Sequence, residues 1–136
     1  MGAVMIVTTT NDVTGYRVVQ HLGVVRGITV RSRSVIGNIG AGIQSLFGGN
    51  ITIYTNLAEK AREEAFELMV QHATSAGANA IVAMRFDTSA IGQNWTEICA
   101  YGTAVFAIPL SQNEPGATGQ SIYLTNSGDA AAQLKP

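Results

Sequence analysis

Two runs of β-branched residues open the chain and predict two strands of unequal length. The first run extends from Val4 to Thr8, and a turn-forming segment separates it from the second run, Tyr16 to Arg31. Gly23 and Gly27 lie inside the second run, so we expect a long strand that bends or bulges at these glycines. Its apolar residues occupy both parities, which predicts that part of this strand is buried on both sides.

From Tyr54 to Ala76 the apolar residues recur at i, i+3 and i+4, which is typical of an amphipathic helix. The predicted apolar stripe consists of Leu57, Ala58, Ala61, Ala65, Leu68, Met69, His72 and Ala76. Gly77 follows directly and fits a left-handed C-terminal cap. Because alanine dominates the stripe, we expect this helix to lie close against a sheet.

A glycine-rich segment, Val35 to Asn50, precedes the helix and combines apolar residues at helical spacing with five glycines. Because glycine weakens a helix, the segment is predicted to form a short, mobile helix or an ordered loop. Neither GxxxxGKS/T nor a GxGxxG after a strand occurs, so the glycines favour close packing or hinge motion over nucleotide binding.

Two further apolar runs, about Asn79 to Asp87 and Trp95 to Ile108, predict an antiparallel hairpin. Pairing Arg85 with Glu97 across it separates the side chains into two unlike faces. The first face is small and apolar and contains Val82, Met84, Phe86, Ile98, Ala100, Gly102, Ala104, Phe106 and Ile108. The second face contains Ile81, Ala83, Arg85, Asp87, Glu97, Cys99, Tyr101 and Thr103. The helix can cover the first face. The second face has no obvious cover elsewhere in the sequence, which predicts that subunits assemble over it.

The composition agrees with an interface, because charged residues make up only 12% of the chain against 46% hydrophobic residues. A net charge of −1 supplies no general attraction for nucleic acid or anionic lipid. The single cysteine excludes an intrachain disulfide and fits a reducing compartment. No apolar run approaches the length of about 20 residues that a membrane helix needs, and the N-terminus is unlike a secretory signal. We therefore expect a cytoplasmic protein.

The composition changes after Pro109 to Gly, Ser, Asn, Gln and Ala, with one apolar group at Ile122 to Leu124. We expect one domain over residues 1–110 and a flexible C-terminal tail over residues 111–136. The alternative is that the segment around Ile122 adds a strand to the edge of a neighbouring sheet.

Three motifs give the chain a resemblance to a known family: AREEAFE at Ala61 to Glu67, GANAIVAMRFDTS at Gly77 to Ser89, and AYGTAV at Ala100 to Val105. Over about Met5 to Ile108 the sequence resembles the YbjQ family, small bacterial and archaeal proteins labelled heavy-metal-binding. The resemblance implies a dodecin-like α+β subunit, in which one long helix covers one face of an antiparallel sheet. It also implies a homopentameric ring or a dimer of pentamers.

The candidate residues fit two main functions. The first is binding of a soft heavy metal or related small ligand by Cys99 from each subunit of a ring, with His21 as a further candidate ligand. Against it, a cysteine in a strand often serves as an inert small hydrophobe. His72 is predicted to be a core or interface histidine. The second function is a structural or interaction module with no ligand chemistry.

In either function a polar set on the hairpin, Arg85, Asp87, Glu97 and Tyr101, is predicted to line a ligand site or to fix subunit register. The same residues would serve an enzyme as acid, base and anion clamp. The sequence contains no identifiable nucleophile, no serine-histidine-acid order and no metal triad, so we do not expect an enzyme.

Overall fold

A computed structural model describes residues 4–32 and 52–128. These residues form an α+β structure with a four-stranded sheet and two helices. The elements are β1 (Ile6–Val7), β2 (Tyr16–Ser32), α1 (Thr52–Ser75), β3 (Ala80–Ile91), β4 (Trp95–Pro109) and α2 (Gly119–Ser127). The predicted strands and the predicted long helix are therefore present, and the glycine-rich segment from Val35 to Asn50 lies outside the described residues.

The sheet has the strand order β1-β3-β4-β2. β1 pairs with β3 in parallel, with Ile6 beside Ala80 and Val7 beside Ile81. The sheet is mixed, because β3 and β4 form an antiparallel hairpin while β1 runs parallel to β3, so the prediction of an antiparallel sheet is wrong for β1. β2 ends the order, so one of its edges has no neighbouring strand within the described chain.

The chain divides into two compact units. Of the described residues, unit 1 contains 4–25, 70–85 and 101–128. Unit 2 contains 26–32, 52–69 and 86–100. The core of unit 1 is built around Ala80, Val82 and Val105, which are buried and pack against the partly buried Ile6, Val13 and Val18.

In unit 2 the helix α1 lies directly on β2 because the contacting residues are small. Gly27 is buried, and a methyl group there would meet the backbone of α1 at Ala65. The Thr29 hydroxyl donates to the carbonyl oxygen of Ala61 at 3.2 Å. The alanine-rich helix was predicted to lie close on a sheet, and this contact confirms it.

The buried stripe of α1 is narrower than the predicted one. Its buried residues are Ala61, Ala65, Met69 and Ala73. Ala58 and His72, which were assigned to the apolar stripe, are exposed, so His72 is not a core residue, and its alternative place at an interface stays a prediction. The four buried residues are spaced by four positions, and a row of that spacing turns only slowly around a helix.

A left-handed glycine ends α1 as predicted. Gly77 has a φ of 88°, and its N–H donates to the carbonyl oxygen of Thr74 at 3.0 Å. The N–H of Ala78 donates to the carbonyl oxygen of Ala73 at 3.0 Å. These two bonds are the Schellman pattern, which satisfies carbonyl groups that the end of a helix leaves without partners.

The predicted register of the hairpin is wrong. Its turn occupies Gly92–Asn94, so the two strands are centred on Gln93. Counting outward from Gln93 places Glu97 across from Ser89 instead of Arg85. In unit 1 the N–H of Asn79 donates to the carbonyl oxygen of Val105 at 3.1 Å, where the predicted register would give Thr103. The physical reason is the strand length: β3 continues past Asp87 to Ile91 and moves the turn toward the C-terminus.

The segment after Pro109 contains a second helix, α2, which the composition of this segment did not predict. Ile122 to Leu124 lie inside this helix, so the alternative of an added strand is wrong. Thr118 caps the helix, and Ser121 in its first turn is only 1% exposed. The flexibility expected over residues 111–136 stays a prediction, and residues 129–136 lie outside the described chain.

Candidate functional site

The candidate site in unit 2 lies on the side of the sheet that faces away from α1, which we call the outer face. Strand alternation places the side chains there. Thr88, Thr96 and Ile98 line a cavity together with residues of α1, so the intervening Glu97 and the following Cys99 point the opposite way.

Two further side chains, both charged, lie on the outer face with Cys99 and Glu97. Phe86 lies under the Arg62 guanidinium on the α1 side, which directs Asp87 of β3 to the outer face. On β2, Gly27 and Thr29 contact α1, so Arg26, which precedes Gly27, points to the outer face. The charges of Glu97, Arg26 and Asp87 all act on the pKa of Cys99, so these three groups lie within electrostatic range of the thiol.

The surroundings of Cys99 favour the neutral thiol. Partial burial raises its pKa, the Glu97 carboxylate raises it further, and the Asp87 carboxylate adds to the same direction. The Arg26 guanidinium opposes them and lowers the pKa. The thiol donates weakly to the carbonyl oxygen of Ala100, with the sulfur 3.9 Å from that oxygen. Cys99 is therefore a protonated, half-buried thiol beside two carboxylates at neutral pH.

Of the predicted site residues, unit 2 brings together Asp87, Glu97 and Cys99. Arg26 was missed as a fourth member, although it shares its parity on β2 with Ile28 and Val30. The alternation of side chains along β2 was the available signal, because it places Arg26 on one face of the strand together with Ile28 and Val30.

The remaining predicted residues belong to unit 1. Arg85 donates from Nη1 to the carbonyl oxygens of Thr9 at 2.9 Å and Met84 at 2.7 Å, so it fastens the backbone that follows β1. Tyr101 on β4 and His21 on β2 are both exposed.

Within the part of the chain that the structure describes, no group of three or more His, Cys, Asp or Glu side chains is arranged to hold a metal ion. Structural sites for zinc use about four ligands. The described residues around Cys99 therefore do not form a structural zinc site of this kind by themselves.

Apolar residues flank the candidate site at the edge of the sheet. Ile28 and Val30 of β2 are 42% and 45% exposed, and they alternate with residues that face α1. An edge strand with exposed β-branched residues presents unpaired backbone groups beside an apolar surface, which is a common feature of strands that pair with another chain.

No helix among residues 4–32 and 52–128 is both long and apolar enough to cross a lipid bilayer.

The fold and the candidate site define a small α+β protein with a mixed sheet and a thiol on an exposed sheet face. Residues 5–108 match the YbjQ family, whose description reads "Putative heavy-metal-binding". The chain belongs to this family.

Similar proteins cover the same part of the chain. A UPF0145 protein from Solibacter usitatus is 55% identical over 106 residues, which is 78% of this chain and 95% of the relative. A UPF0145 protein from Chromobacterium violaceum is 56% identical over 109 residues, or 80% of this chain and 93% of that protein. These identities support the resemblance that the sequence motifs indicated.

The fold is also similar to that of a solved structure. That structure is of a protein of unknown function from the DUF74 family of Pediococcus pentosaceus, with a TM-score of 0.51 and 16% sequence identity. The match covers 75% of this chain and 96% of that one.

Proposed function

We propose that the protein assembles into a homo-oligomeric ring, a pentamer or a pair of pentamers of dodecin-like subunits, that binds a soft heavy metal or related small ligand. The position of Cys99 on the outer face, beside the carboxylates of Glu97 and Asp87, is the observation that carries the proposal. The description of the family as heavy-metal-binding supports the choice of ligand.

The donor chemistry fits a soft ion. Thiolates favour ions such as Zn²⁺, Cd²⁺ and Cu⁺ over hard ions such as Mg²⁺. Rotational symmetry brings one Cys99 from each copy to equivalent positions, so a ring multiplies a single thiol into a set of ligands. Glu97 and Asp87 contribute negative potential that attracts the cation before the thiol proton is lost.

Metal binding should depend on pH because the metal must displace the Cys99 proton. Burial and the two carboxylates raise the pKa of this thiol, so the proton is held more tightly than in an exposed cysteine. Affinity should therefore increase as the pH rises toward that pKa. Arg26 lowers the pKa of Cys99 and therefore makes the thiolate easier to form. Its positive charge also repels the metal ion, so its two effects on affinity oppose each other.

Titration of the full-length, metal-free protein with Cd²⁺ tests the proposal. The ultraviolet charge-transfer band of cadmium thiolate reports Cys99 directly, and native mass spectrometry gives the number of ions per assembly. We expect the wild type to show the band with fewer than one ion per chain, and Cys99→Ser to lose it. His21→Ala measures whether His21 also contributes. Equal stoichiometry in wild type and Cys99→Ser would contradict metal binding at this site.

A structural or interaction module is the second candidate, and the exposed Ile28 and Val30 on the edge strand favour it. In that case the ring itself is the product, and Cys99 serves only as a small, half-buried residue of the assembled face. Native mass spectrometry separates the two candidates. A Cys99→Ser protein that assembles normally, together with a wild type that shows no thiolate band, would favour the structural role.

A further inference from the structure

A cavity of about 200 Å³ lies on the α1 side of the sheet in unit 2, opposite the outer face. Its apolar wall is formed by Leu57, Ala58 and Ala61 of α1 and by Ile98 of β4. A closed apolar cavity of about 150 Å³ accommodates benzene. The volume is therefore sufficient for one aromatic ring or a short aliphatic chain with a small polar group.

The polar part of the wall carries positive charge. Arg31 of β2, Arg62 of α1 and the threonines Thr88 and Thr96 complete the lining. Arg31 forms an ion pair with Glu64, which neutralises its charge locally. Among residues 4–32 and 52–128, no carboxylate lines the cavity to balance the charge of Arg62.

Arg62 is held in a way that leaves its donors usable. Its guanidinium carbon lies 5.2 Å from the centroid of the Phe86 ring, a cation–π contact. A stacked guanidinium uses its face, whereas its N–H donors lie in its plane and remain at the edge. An edge of this kind matches the two oxygens of a carboxylate in a bidentate pair.

We propose that this cavity binds a small monocarboxylate with a compact apolar body, in which Arg62 pairs with the carboxylate and the alanine, leucine and isoleucine wall holds the body. Ligand sites typically combine a mostly apolar wall with a few placed polar groups, as this cavity does. The threonine side chains add hydroxyl donors and methyl groups to the boundary between the two parts of the ligand. The site is independent of Cys99, which points to the other side of the sheet.

Benzoate is the test ligand, and benzyl alcohol is its neutral counterpart of similar size. In the full-length protein labelled at leucine and isoleucine methyl groups, we expect saturable benzoate-induced shifts of the Leu57 and Ile98 signals. Calorimetry should give a benzoate affinity at least about ten-fold higher than that of benzyl alcohol, because the charged pair is lost in the alcohol.

Arg62→Gln should weaken benzoate binding by at least about ten-fold. The methyl spectrum of the free variant should still be that of a folded protein. Lys60→Gln is the matched control, since it removes one positive charge from the same helix at an exposed position outside the cavity. Cys99→Ser should also bind benzoate like the wild type, which separates this site from the proposed metal site.

Two results would overturn the proposal. One is the absence of any saturable shift of Leu57 and Ile98 up to about 10 mM benzoate, a concentration at which even a weak specific site is occupied. The other is equal benzoate affinity in wild type and Arg62→Gln. If Arg62→Gln loses the folded methyl spectrum, Ala58→Leu replaces it: filling the cavity should weaken benzoate binding, and unchanged affinity would contradict the assignment.

Discussion

At the scale of single residues, the reactivity of Cys99 is set first by its partial burial, which raises its pKa, and then by the charged groups around it. Glu97 is the largest electrostatic contribution that raises its pKa, and Arg26 is the contribution that lowers it. Because the raised pKa favours the neutral thiol in the folded state, the resulting stabilisation is present below the unfolded-state pKa. It is lost as the pH rises through the folded-state pKa.

Glu97→Gln should therefore lower the pKa of Cys99 and increase its alkylation rate near neutral pH, since thiolate is the reactive form. Arg26→Gln should slow alkylation, and Asp87→Asn should accelerate it less than Glu97→Gln does. Rates with iodoacetamide, followed by mass spectrometry between neutral and alkaline pH, check the order. Glu59→Gln, an exposed change on α1, is the control. An unchanged rate in Glu97→Gln would show that this carboxylate does not act on the thiol.

Gly27 is the residue that allows the close approach of β2 and α1. A methyl group there would collide with the helix backbone at Ala65, and backbone cannot move aside cheaply. Gly27→Ala should lower the free energy of unfolding by about 1–3 kcal/mol, measured by urea denaturation. Gly119→Ala is the comparison, because nothing lies within 4 Å of the added carbon. It should be neutral or stabilising by up to about 1 kcal/mol, and similar losses in both variants would argue against the predicted collision at Gly27.

At the scale of elements, the cap of α2 explains how a polar segment becomes helical. Thr118 Oγ1 accepts from the N–H of Ser121 at 3.1 Å, and Ser121 Oγ accepts from the N–H of Thr118 at 2.9 Å. Gly128 ends the helix in the left-handed conformation with a φ of 83°. The reciprocal bonds satisfy two donors that would otherwise lack partners, so the cap compensates for the weak propensity of the segment.

Thr118→Ala should lower the local stability of α2 by about 0.5–2 kcal/mol, because the cap accepts the Ser121 N–H. Native-state hydrogen exchange of the amides in residues 119–127 measures this change. Thr125→Ala is the matched control: the Thr125 hydroxyl donates to carbonyl oxygens of Ser121 and Ile122 within the helix, so its loss removes no cap. Equal increases in exchange for both variants would contradict a capping role for Thr118.

The elements that the sequence predicted well are those with strong local signals. β2 was predicted from its β-branched run and α1 from its apolar spacing, and Gly77 marked the end of α1. The helix α2 lacks such periodicity, and its cap uses serine where a capping box ordinarily has Glu or Gln, so composition alone suggested a tail.

The register of the hairpin depends on where the turn forms, and that could not be predicted from charge pairing. The assumed pair of Arg85 with Glu97 placed the turn too early, whereas Arg85 binds backbone carbonyls at Thr9 and Met84. In unit 2 the predicted assignment of side chains to the two faces of the hairpin is still correct. A register shift by an even number of residues leaves each side chain on the same side of the sheet. Asp87, Glu97 and Cys99 consequently stayed together.

At the scale of the whole molecule, the exposed apolar residues of β2 connect the sheet to the proposed assembly. Ile28 and Val30 are exposed although both are β-branched, and β2 has an edge without a neighbouring strand in the described chain. Natural edge strands usually carry charge or proline to prevent pairing with other chains. Here Arg26 is the charged residue nearest to Ile28 on the same face, so the edge is only weakly protected.

Ile28→Lys should reduce the mass of the assembly toward that of the monomer, because burying an added ammonium group in an apolar contact costs several kcal/mol, on the order of 3. Light scattering coupled to size-exclusion chromatography measures the mass, and circular dichroism confirms that the subunit remains folded. Gln71→Lys adds the same charge at an exposed position on α1 and should leave the mass unchanged. An unaltered mass in Ile28→Lys would exclude this part of β2 from the contact between copies. In that case the Cd²⁺ titration would decide whether copies still share a thiolate site. A positive result would mean that the copies meet near Cys99 through a surface other than this part of β2.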